Sequence, residues 1–448
     1  MPTRLPRFAL SVVTAFLLVL VIASKANTDT TLQDYVDRPE AVYSWEIRQE
    51  SKQDGGRTYE LLLTSQTWKE IVWTHQLTVA VPDNPQPTGH ALLMIFGGKN
   101  QDGKPEMGGK VDETIQAIVS LAAKTGSPVA VLRQVPNQPL FGGMVEDDLI
   151  SYTFVNCAKT GERDWPLLLP MVKSAVKAMD AIQDLCEKKA GIGVEKFVVT
   201  GSSKRGWTTW LTGAIDPRVA AIAPRVIDTL NFEIQMPYQL EVWGDYSEEI
   251  EDYSERKVQS LLATPQGREL AKIVDPYHYR ESLDMPKLIL IGTNDEYWPV
   301  DAVRHYFDDL KGEKFIVYVP NAGHSLGDGK QAMDAVGAFF ATVALGKKHP
   351  GLTWKTARSP GRVAVEVEAD DPKGFNLYMA DSPSRDFRKA KWATSNGFLT
   401  QEKNACKANV ALPTEGYQAF YVEALFDSPI GGTYSKCTRV FVANGEGI

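Results

Sequence analysis

Hydrophobic residues fall along this chain in three successive rhythms. Over residues 58–82, two runs at 59–64 and 71–81 alternate apolar and polar positions, as antiparallel strands with one buried face do. From residue 90 the apolar residues come instead in short continuous blocks, at 90–96, 128–132, 196–200, 219–223, 287–291 and 315–319. Blocks of this kind are strands buried on both faces. Helical periods separate them, at 113–124, at about 167–188 and at about 205–212. In the second of these, Met171, Ala175, Ala178, Met179 and Ile182 share one face. A further helix is expected between the last two blocks. Strands alternating with helices predict a mostly parallel sheet covered on both sides. Function collects at the carboxyl ends of such strands.

The rhythm stops between 228 and 280, where Trp243, four acidic residues (Glu248, Glu249, Glu251, Asp252) and a helical stretch near 254–262 occur. A helical insertion over the sheet, forming a lid or substrate wall, is expected there, with ordinary surface helices as the alternative. After Pro350 the alternation returns, at 362–368, 375–380 and 418–425, with turn residues between and no helical period. This predicts a β-sandwich domain over 351–448.

Length and composition narrow the picture. The 448 residues suffice for one large domain and a smaller one, and the 43% hydrophobic and 23% charged fractions are those of a globular protein. A net charge of −8 leaves no basic footprint, so nucleic-acid binding is excluded. Arg4 and Arg7 precede an apolar run at 8–23 that closes on Ser24 and Ala26, the pattern of a secretory signal peptide over 1–26. The remaining chain, with its parallel-sheet domain over 27–350, is therefore expected to be secreted or periplasmic. Membrane contact is expected only through this segment if it stays uncleaved. Export gives the four cysteines a meaning, because an oxidising compartment favours disulfides. The local pairing Cys157–Cys186 and Cys406–Cys437 is expected, with free buried thiols as the alternative. Their spacing fits no zinc or redox motif, and no metal or organic cofactor is implied.

The chemistry begins at residues 198–207, Val-Val-Thr-Gly-Ser-Ser-Lys-Arg-Gly-Trp. A buried strand ends in small residues and a helix follows at once, with Ser203 at the junction. A turn this sharp needs small neighbours and lifts the serine hydroxyl clear of the sheet, as in a nucleophile elbow. The motif is loose, because the second glycine, Gly206, falls one place late and Arg205 occupies its usual slot. Ser202 fits less well, since Gly201 directly precedes it. A nucleophilic serine needs a base and the base an orienter, in the order Ser, acid, His. The block 287–291 runs into Gly292-Thr293-Asn294-Asp295, which makes Asp295 the expected acid, with Glu296 and Asp301 as alternatives. The block 315–319 runs into Pro320-Asn321-Ala322-Gly323-His324, which makes His324 the expected base. His278 and His305 are expected on the surface or lid, the latter inside the helix between the last two strands. His75 and His90 lie near early strands and are expected to be structural.

The oxyanion hole should combine the N–H after the nucleophile, that of Lys204, with one from the loop after an early strand, at Gly97 or Gly98. Lys204 and Arg205 put two cations beside the serine. Arg205 is a candidate for an anionic substrate group or for a salt bridge within the helix. Asn137, on the proline-containing loop 134–141, and Trp298, beside Asp295, are candidates for the pocket wall. Tyr378, Trp392, Tyr417, Phe420 and Tyr421 of the C-terminal region are candidates for sugar binding or for sandwich core.

Several strings together, at 134–140, 146–153, 165–167 leading to 178–180, 201–207 and 292–298, resemble the PhoPQ-activated pathogenicity-related protein family. The resemblance spans about 40–345 and continues weakly beyond. It implies an exported α/β-hydrolase-like protein whose triad positions carry over onto Ser203, Asp295 and His324, and it supplies no substrate. Members with extracellular signalling roles keep a second expectation open, a secreted signalling or host-interaction protein on the same scaffold. The first expectation is a serine hydrolase cleaving an ester or peptide acyl bond of a small molecule, with an extracellular protein or glycan as a further partner.

Overall fold

The computed structural model describes residues 1, 31–107 and 112–448, so the leader expected over 1–26 lies, Met1 apart, outside them. The N-terminal part builds β1 (Ser44–Gln53), β2 (Gly56–Trp68), β3 (Ile71–Pro82), β4 (His90–Ile95), β5 (Val129–Leu132), β6 (Lys196–Ser202), β7 (Val219–Arg225), β8 (Lys287–Gly292) and β9 (Lys314–Val319). They stand in the order β1-β2-β3-β5-β4-β6-β7-β8-β9. The first three strands are antiparallel, and from β5 to β9 the pairing is parallel. This is an α/β-hydrolase-like core.

The continuous apolar blocks have a simple reason. Side chains alternate across a strand, and here both faces meet helices. On β4, Leu93 and Ile95 join one core while Leu92 and Met94 join another. Helices Glu146–Thr160, Leu168–Ala190 and Lys204–Ile215 cover the first face; Glu113–Thr125 and Lys330–Ala344 cover the second. β1 carries no fully buried residue, so it left no hydrophobic signal to read.

Between β7 and β8 stand the helices Phe232–Trp243, Glu251–Glu255, Val258–Leu262 and Pro265–Val274. The stretch near 254–262 is broken in two at Lys257, whose φ of 57° is left-handed. The helix expected between β8 and β9 is absent. Only a single 3-10 turn, Ala302–His305, forms there, because Pro299 interrupts the segment and the Asp301 carboxylate is taken by Tyr238 instead of capping a helix.

The C-terminal strands are β10 (Leu352–Ser359), β11 (Arg362–Ala369), β12 (Gly374–Ser382), β13 (Ala393–Thr394), β14 (Leu399–Gln401), β15 (Ala405–Ala411), β16 (Tyr417–Asp427), β17 (Thr433–Cys437) and β18 (Phe441–Ala443). One antiparallel sheet runs β10-β11-β15-β14; the other, β17-β16-β12-β13 with β18 on β16, continues the main sheet through β17 beside β9. A core of its own, including Val365, Val367, Phe420 and Val422, lies between the two layers. Phe420, Tyr421 and Trp392 are buried and Tyr378 stacks on Tyr421 at 5.1 Å, so four of the five candidate sugar-binding aromatics serve packing. Tyr417 is half-buried.

The expected disulfides are corrected. All four cysteines are free and buried. Cys157 lies near Lys69 and Asp164, beyond the end of β2, whereas Cys186 neighbours Tyr59 near its start, roughly 30 Å of strand away. Cys406 faces the core between the C-terminal sheets, whereas Cys437 faces the main core. Burial pushes the Cys157 thiol up to about 11 and those of Cys186 and Cys406 up to about 12, which keeps them protonated and unreactive. The native protein is therefore expected to resist maleimide, to yield four reactive thiols on denaturation, and to keep its melting temperature in reductant. A Cys157–Cys186 or Cys406–Cys437 peptide in a non-reducing digest would contradict this arrangement.

Candidate active site

Four neighbouring strands, β6 to β9, deliver the candidate residues to one end of the sheet. Ser203 stands between the last residue of β6 and the first of helix Lys204–Ile215, with φ 57° and ψ −128°. A non-glycine residue in such a conformation is strained, and it persists only where its surroundings fix it. Here they do. A Cβ on Gly201 would come within 2.6 Å of the Arg205 carbonyl oxygen, and one on Gly206 within 2.8 Å of the Arg225 carbonyl oxygen. The late second glycine thus performs the close approach that the turn requires. Ser202, in contrast, is paired within β6 against Arg225.

Arg205 does not face the cavity beside Ser203. Its guanidinium donates two bonds of 2.7 Å to Glu146 and one of 2.5 Å to the Val135 carbonyl. It lies where a Gly97 side chain would be, 2.4 Å from the position of an added Cβ. Lys204 is likewise held, by Glu146 at 3.0 Å and Asp147 at 2.9 Å. The two cations next to the serine are therefore neutralised from helix Glu146–Thr160. Burial alone would raise the Glu146 carboxyl, yet Arg205 and Lys204 hold it down at about 2. Gln138 completes the arrangement by exchanging two hydrogen bonds with Glu146. Asn137 of the same loop is buried and donates to the Thr74 carbonyl at 3.0 Å, away from the cavity lining.

The glycine loop after β4 reaches the elbow because Ile95 and Gly201 are register partners. Gly97 accepts from Gln134 N at 3.0 Å, and Gly98 has φ +130°, a conformation suited to glycine. Lys204 N–H belongs to the first turn of its helix, where no intrahelical acceptor exists.

At the ends of β8 and β9, Asp295 and His324 come together. His324 Nδ1 lies 3.0 and 3.1 Å from the two carboxylate oxygens of the buried Asp295. Gly292 permits this, since a Cβ there would meet the Ala322 carbonyl oxygen at 2.3 Å. Glu296 instead accepts the His324 backbone N–H at 2.9 Å, and Asp301 accepts from Tyr238. Tyr297 stacks on the imidazole with ring centres 4.0 Å apart. His324 Nε2 is buried with no hydrogen-bond partner among the described residues. Of the other histidines, His75 is buried and bonds Ser65 at 3.0 Å, and His90 bonds Thr88. His305 packs against Tyr238, and His278 lies on the 3-10 turn Pro276–Tyr279.

Two asparagines that sequence reasoning passed over tie these loops to the C-terminal region. Asn294 Nδ2 donates to the carbonyls of Phe387, Arg388 and Ala390 at 3.2, 3.2 and 2.7 Å. Asn321 exchanges two bonds with the backbone of Trp392, at 2.9 and 2.8 Å. Nothing in their local sequence signals such distant partners. Asp228, after β7, is also buried, and burial followed by the charges of Asp295 and Asp301 pushes its carboxyl up to about 8.

Ser203 opens onto a cavity lined by Lys204, Trp207, Tyr297, Trp298 and residues of the helical insertion. Asp147 closes it on one side, accepting from Tyr253 at 3.0 Å. Trp298 is part of this lining. Among the described residues no group of three His, Cys, Asp or Glu is placed to hold a metal, and no helix is long and apolar enough to cross a membrane.

A family model described as PhoPQ-activated pathogenicity-related protein matches residues 32–388. The chain is 32% identical over 445 residues to autocrine proliferation repressor protein A of Dictyostelium discoideum, covering 91% of this chain and 88% of the relative. Among solved structures, acetyl xylan esterase 1 from Thermoanaerobacterium sp. JW/SL YS485 aligns with TM-score 0.43 and 15% identity, over 70% of this chain and 92% of its own. Acetyl xylan esterase from Paenibacillus sp. R4 aligns with TM-score 0.45 and 12% identity, over 65% and 86%.

Three outcomes follow for these supports. Arg205→Lys cannot span both Glu146 oxygens and is expected to cost about 1–3 kcal/mol in urea unfolding. Because the folded Glu146 titrates at about 2 against an ordinary 4.5, its contribution is complete above pH 4.5 and is lost as pH falls towards 2. Glu146→Gln should flatten that acid limb of the stability profile; an unchanged limb would remove the fork from this account. Asn294→Ala should lower stability by about 1–3 kcal/mol in the same assay.

Proposed function

The chain belongs to the PhoPQ-activated pathogenicity-related protein family, and from that premise we propose that it is an exported serine hydrolase cleaving an ester or peptide acyl bond through Ser203, His324 and Asp295. The observation that carries the reading is a convergence. A serine in a strained strand-to-helix turn lines a cavity, and a buried carboxylate two strands further along the same sheet end grips a histidine from the strand after it. In this reading Ser203 Oγ attacks the acyl carbonyl as His324 Nε2 takes its proton. Asp295 accepts from Nδ1–H, fixes the tautomer and stabilises the imidazolium. The N–H groups of Lys204 and of Gly97 or Gly98 receive the oxyanion, a type of contact whose loss costs about 10²–10³ in kcat. His324 then returns the proton to the leaving group, and water repeats the cycle on the acyl-enzyme. The chain divides, in the same proposal, into a hydrolase part over 27–350 with its lid at 228–280 and a β-sandwich over 351–448. Export rests on the leader pattern at 1–26.

A second reading, extracellular signalling on a hydrolase scaffold, is favoured by the likeness to a relative named as an autocrine proliferation repressor. Full biological potency of a folded Ser203→Ala variant would support it.

The enzyme reading expects a fluorophosphonate probe to label native protein once, at Ser203, and Ser203→Ala or His324→Ala to abolish the labelling. Asp295→Asn should leave the fold intact and reduce kcat by about 10⁴-fold. Native protein that the probe leaves unmodified would sink the proposal.

A further inference from the structure

We infer that a recess where the 3-10 turn Ala302–His305 meets the C-terminal strands binds a phosphate or sulfate group carried by a small polar ligand. Its walls are Arg304 of the turn, Thr356 and Arg358 of β10, Arg439 just before β18, and Phe441 and Val442 of β18, with Ile448 beside them. Three arginines thus line one space, and among the described residues no acidic side chain does. The chain as a whole carries a net charge of −8, so this concentration of cations is local. None of these residues lines the Ser203 cavity, so the site stands apart from the triad and does not depend on the hydrolase reading.

The partners of each arginine show what is missing. Arg304 has one distant carboxylate, Asp301 at 3.4 Å, which already accepts from the Tyr238 hydroxyl at 2.7 Å. Arg358 donates to the main-chain oxygen of Ile448. Arg439 makes no hydrogen bond and no ion pair among the described residues, and lies over the Phe441 ring at 4.6 Å. Burial, and after it the charge of Arg304, lowers the Arg439 pKa; the more distant Asp308 and Asp301 offset this only in part. A half-buried cation without a counter-charge is costly, and a like charge beside it adds to the cost. An anion in the recess removes both. The adjoining His305 adds a second open group, because its Nε2 is buried without a hydrogen-bond partner among the described residues. Burial, then Arg304, lowers the His305 pKa as well, so the neutral ring can present an N–H there. Buried polar groups are almost always paired, so two left open around one space mark an absent partner.

The kind of anion follows from the number of forks. A tetrahedral group turns three oxygens towards three guanidinium groups, whereas a carboxylate has two to offer. The body of the ligand lies in a wider cleft that shares Arg304, Arg358 and Val442 with the recess and continues past His305. Arg385 of that cleft is taken up by Glu241 at 2.8 Å, and Glu446 adds a negative charge to the same wall, so the anion belongs in the recess. The half-buried Tyr417 ring, the Asn444 amide and the Glu446 carboxylate give the cleft an aromatic face beside hydrogen-bonding groups. A hydroxylated body such as a sugar suits that wall, its C–H face on the ring and its hydroxyls on the amide and carboxylate.

The test is isothermal titration calorimetry on the full-length mature protein at constant ionic strength. The probes are sodium phosphate, sodium sulfate, sodium acetate, glucose 6-phosphate, glucose 6-sulfate and glucose. Saturable binding is expected for phosphate and sulfate, with each glucose ester tighter than its free ion and acetate about tenfold weaker. The stronger of the two ester series tells phosphate from sulfate. Arg439→Gln should weaken every phosphate and sulfate probe about tenfold or more, and Arg439→Lys less, because it keeps the charge and loses the fork. Arg358→Gln, at an exposed position, gives the same readout should Arg439→Gln fail to fold. Tyr417→Ala should weaken the glucose esters and leave the free ions unchanged. No saturable heat with phosphate or sulfate, acetate bound as tightly as either, or affinities unmoved by folded arginine variants overturns the site. Glucose esters bound no tighter than the free ions overturn the ligand body. Fluorophosphonate labelling of Ser203, run alongside, is expected to be the same in all these variants, so this site and the hydrolase reading fail separately.

Discussion

A backbone angle of +57° at a serine is unstable unless the surrounding chain enforces it, and much of this molecule's design is that enforcement. Strain of this kind amounts to about 1–3 kcal/mol. It is contained on one side by two glycines that let the elbow helix press against β6 and β7. On the other side stands a single carboxylate, Glu146, itself in a left-handed conformation at φ 52°. It holds the first two residues of the elbow helix and the loop at Gln138 together. Gly97 must lack a side chain for the guanidinium to pass. Loop, helix and elbow therefore form one unit in which the fork fixes the distance between the two candidate oxyanion donors.

The acid and base are stabilised from a different direction. Their loops cross over each other at Gly292 and Ala322, and both are then fastened by asparagine amides to residues 387–392. The loop between β12 and β13 thus supports the base and acid, and helix Glu146–Thr160 supports the nucleophile. The two halves of the site are braced by different parts of the chain, and the sheet between them sets their spacing.

Local chemistry was legible in the sequence, and long-range pairing was not. Each parallel strand could be read from its apolar block, because burial on both faces leaves no other composition possible. Asp295 and His324 could be placed because a strand end followed by a glycine turn is a local feature. Arg205 stayed open between a substrate ligand and a salt bridge because its partner lies 59 residues earlier and only the fold brings it near. The cysteines misled for a related reason: closeness in sequence says little when two helices carry their thiols to opposite ends of a strand. Helix Glu146–Thr160 escaped notice since three acidic residues open it and its apolar positions form no clean stripe. Even so, those acidic residues are the ones that hold the elbow.

The meeting of β17 with β9 bears on how the parallel sheet is bounded. A parallel sheet that stopped at β9 would end in an open edge of unpaired N–H and C=O groups, a template for adding strands from other molecules. Here one register pair, Cys437 with Ile316, joins that edge to the chain's own C-terminal layer. The outermost strands become β1 and the two-residue β13. β1 carries a mixture of Glu, Arg and Lys along its exposed positions, and β13 is too short to recruit a neighbour. A chain released from synthesis before its C-terminal strands are complete would leave that contact unmade and present the β9 edge to its neighbours.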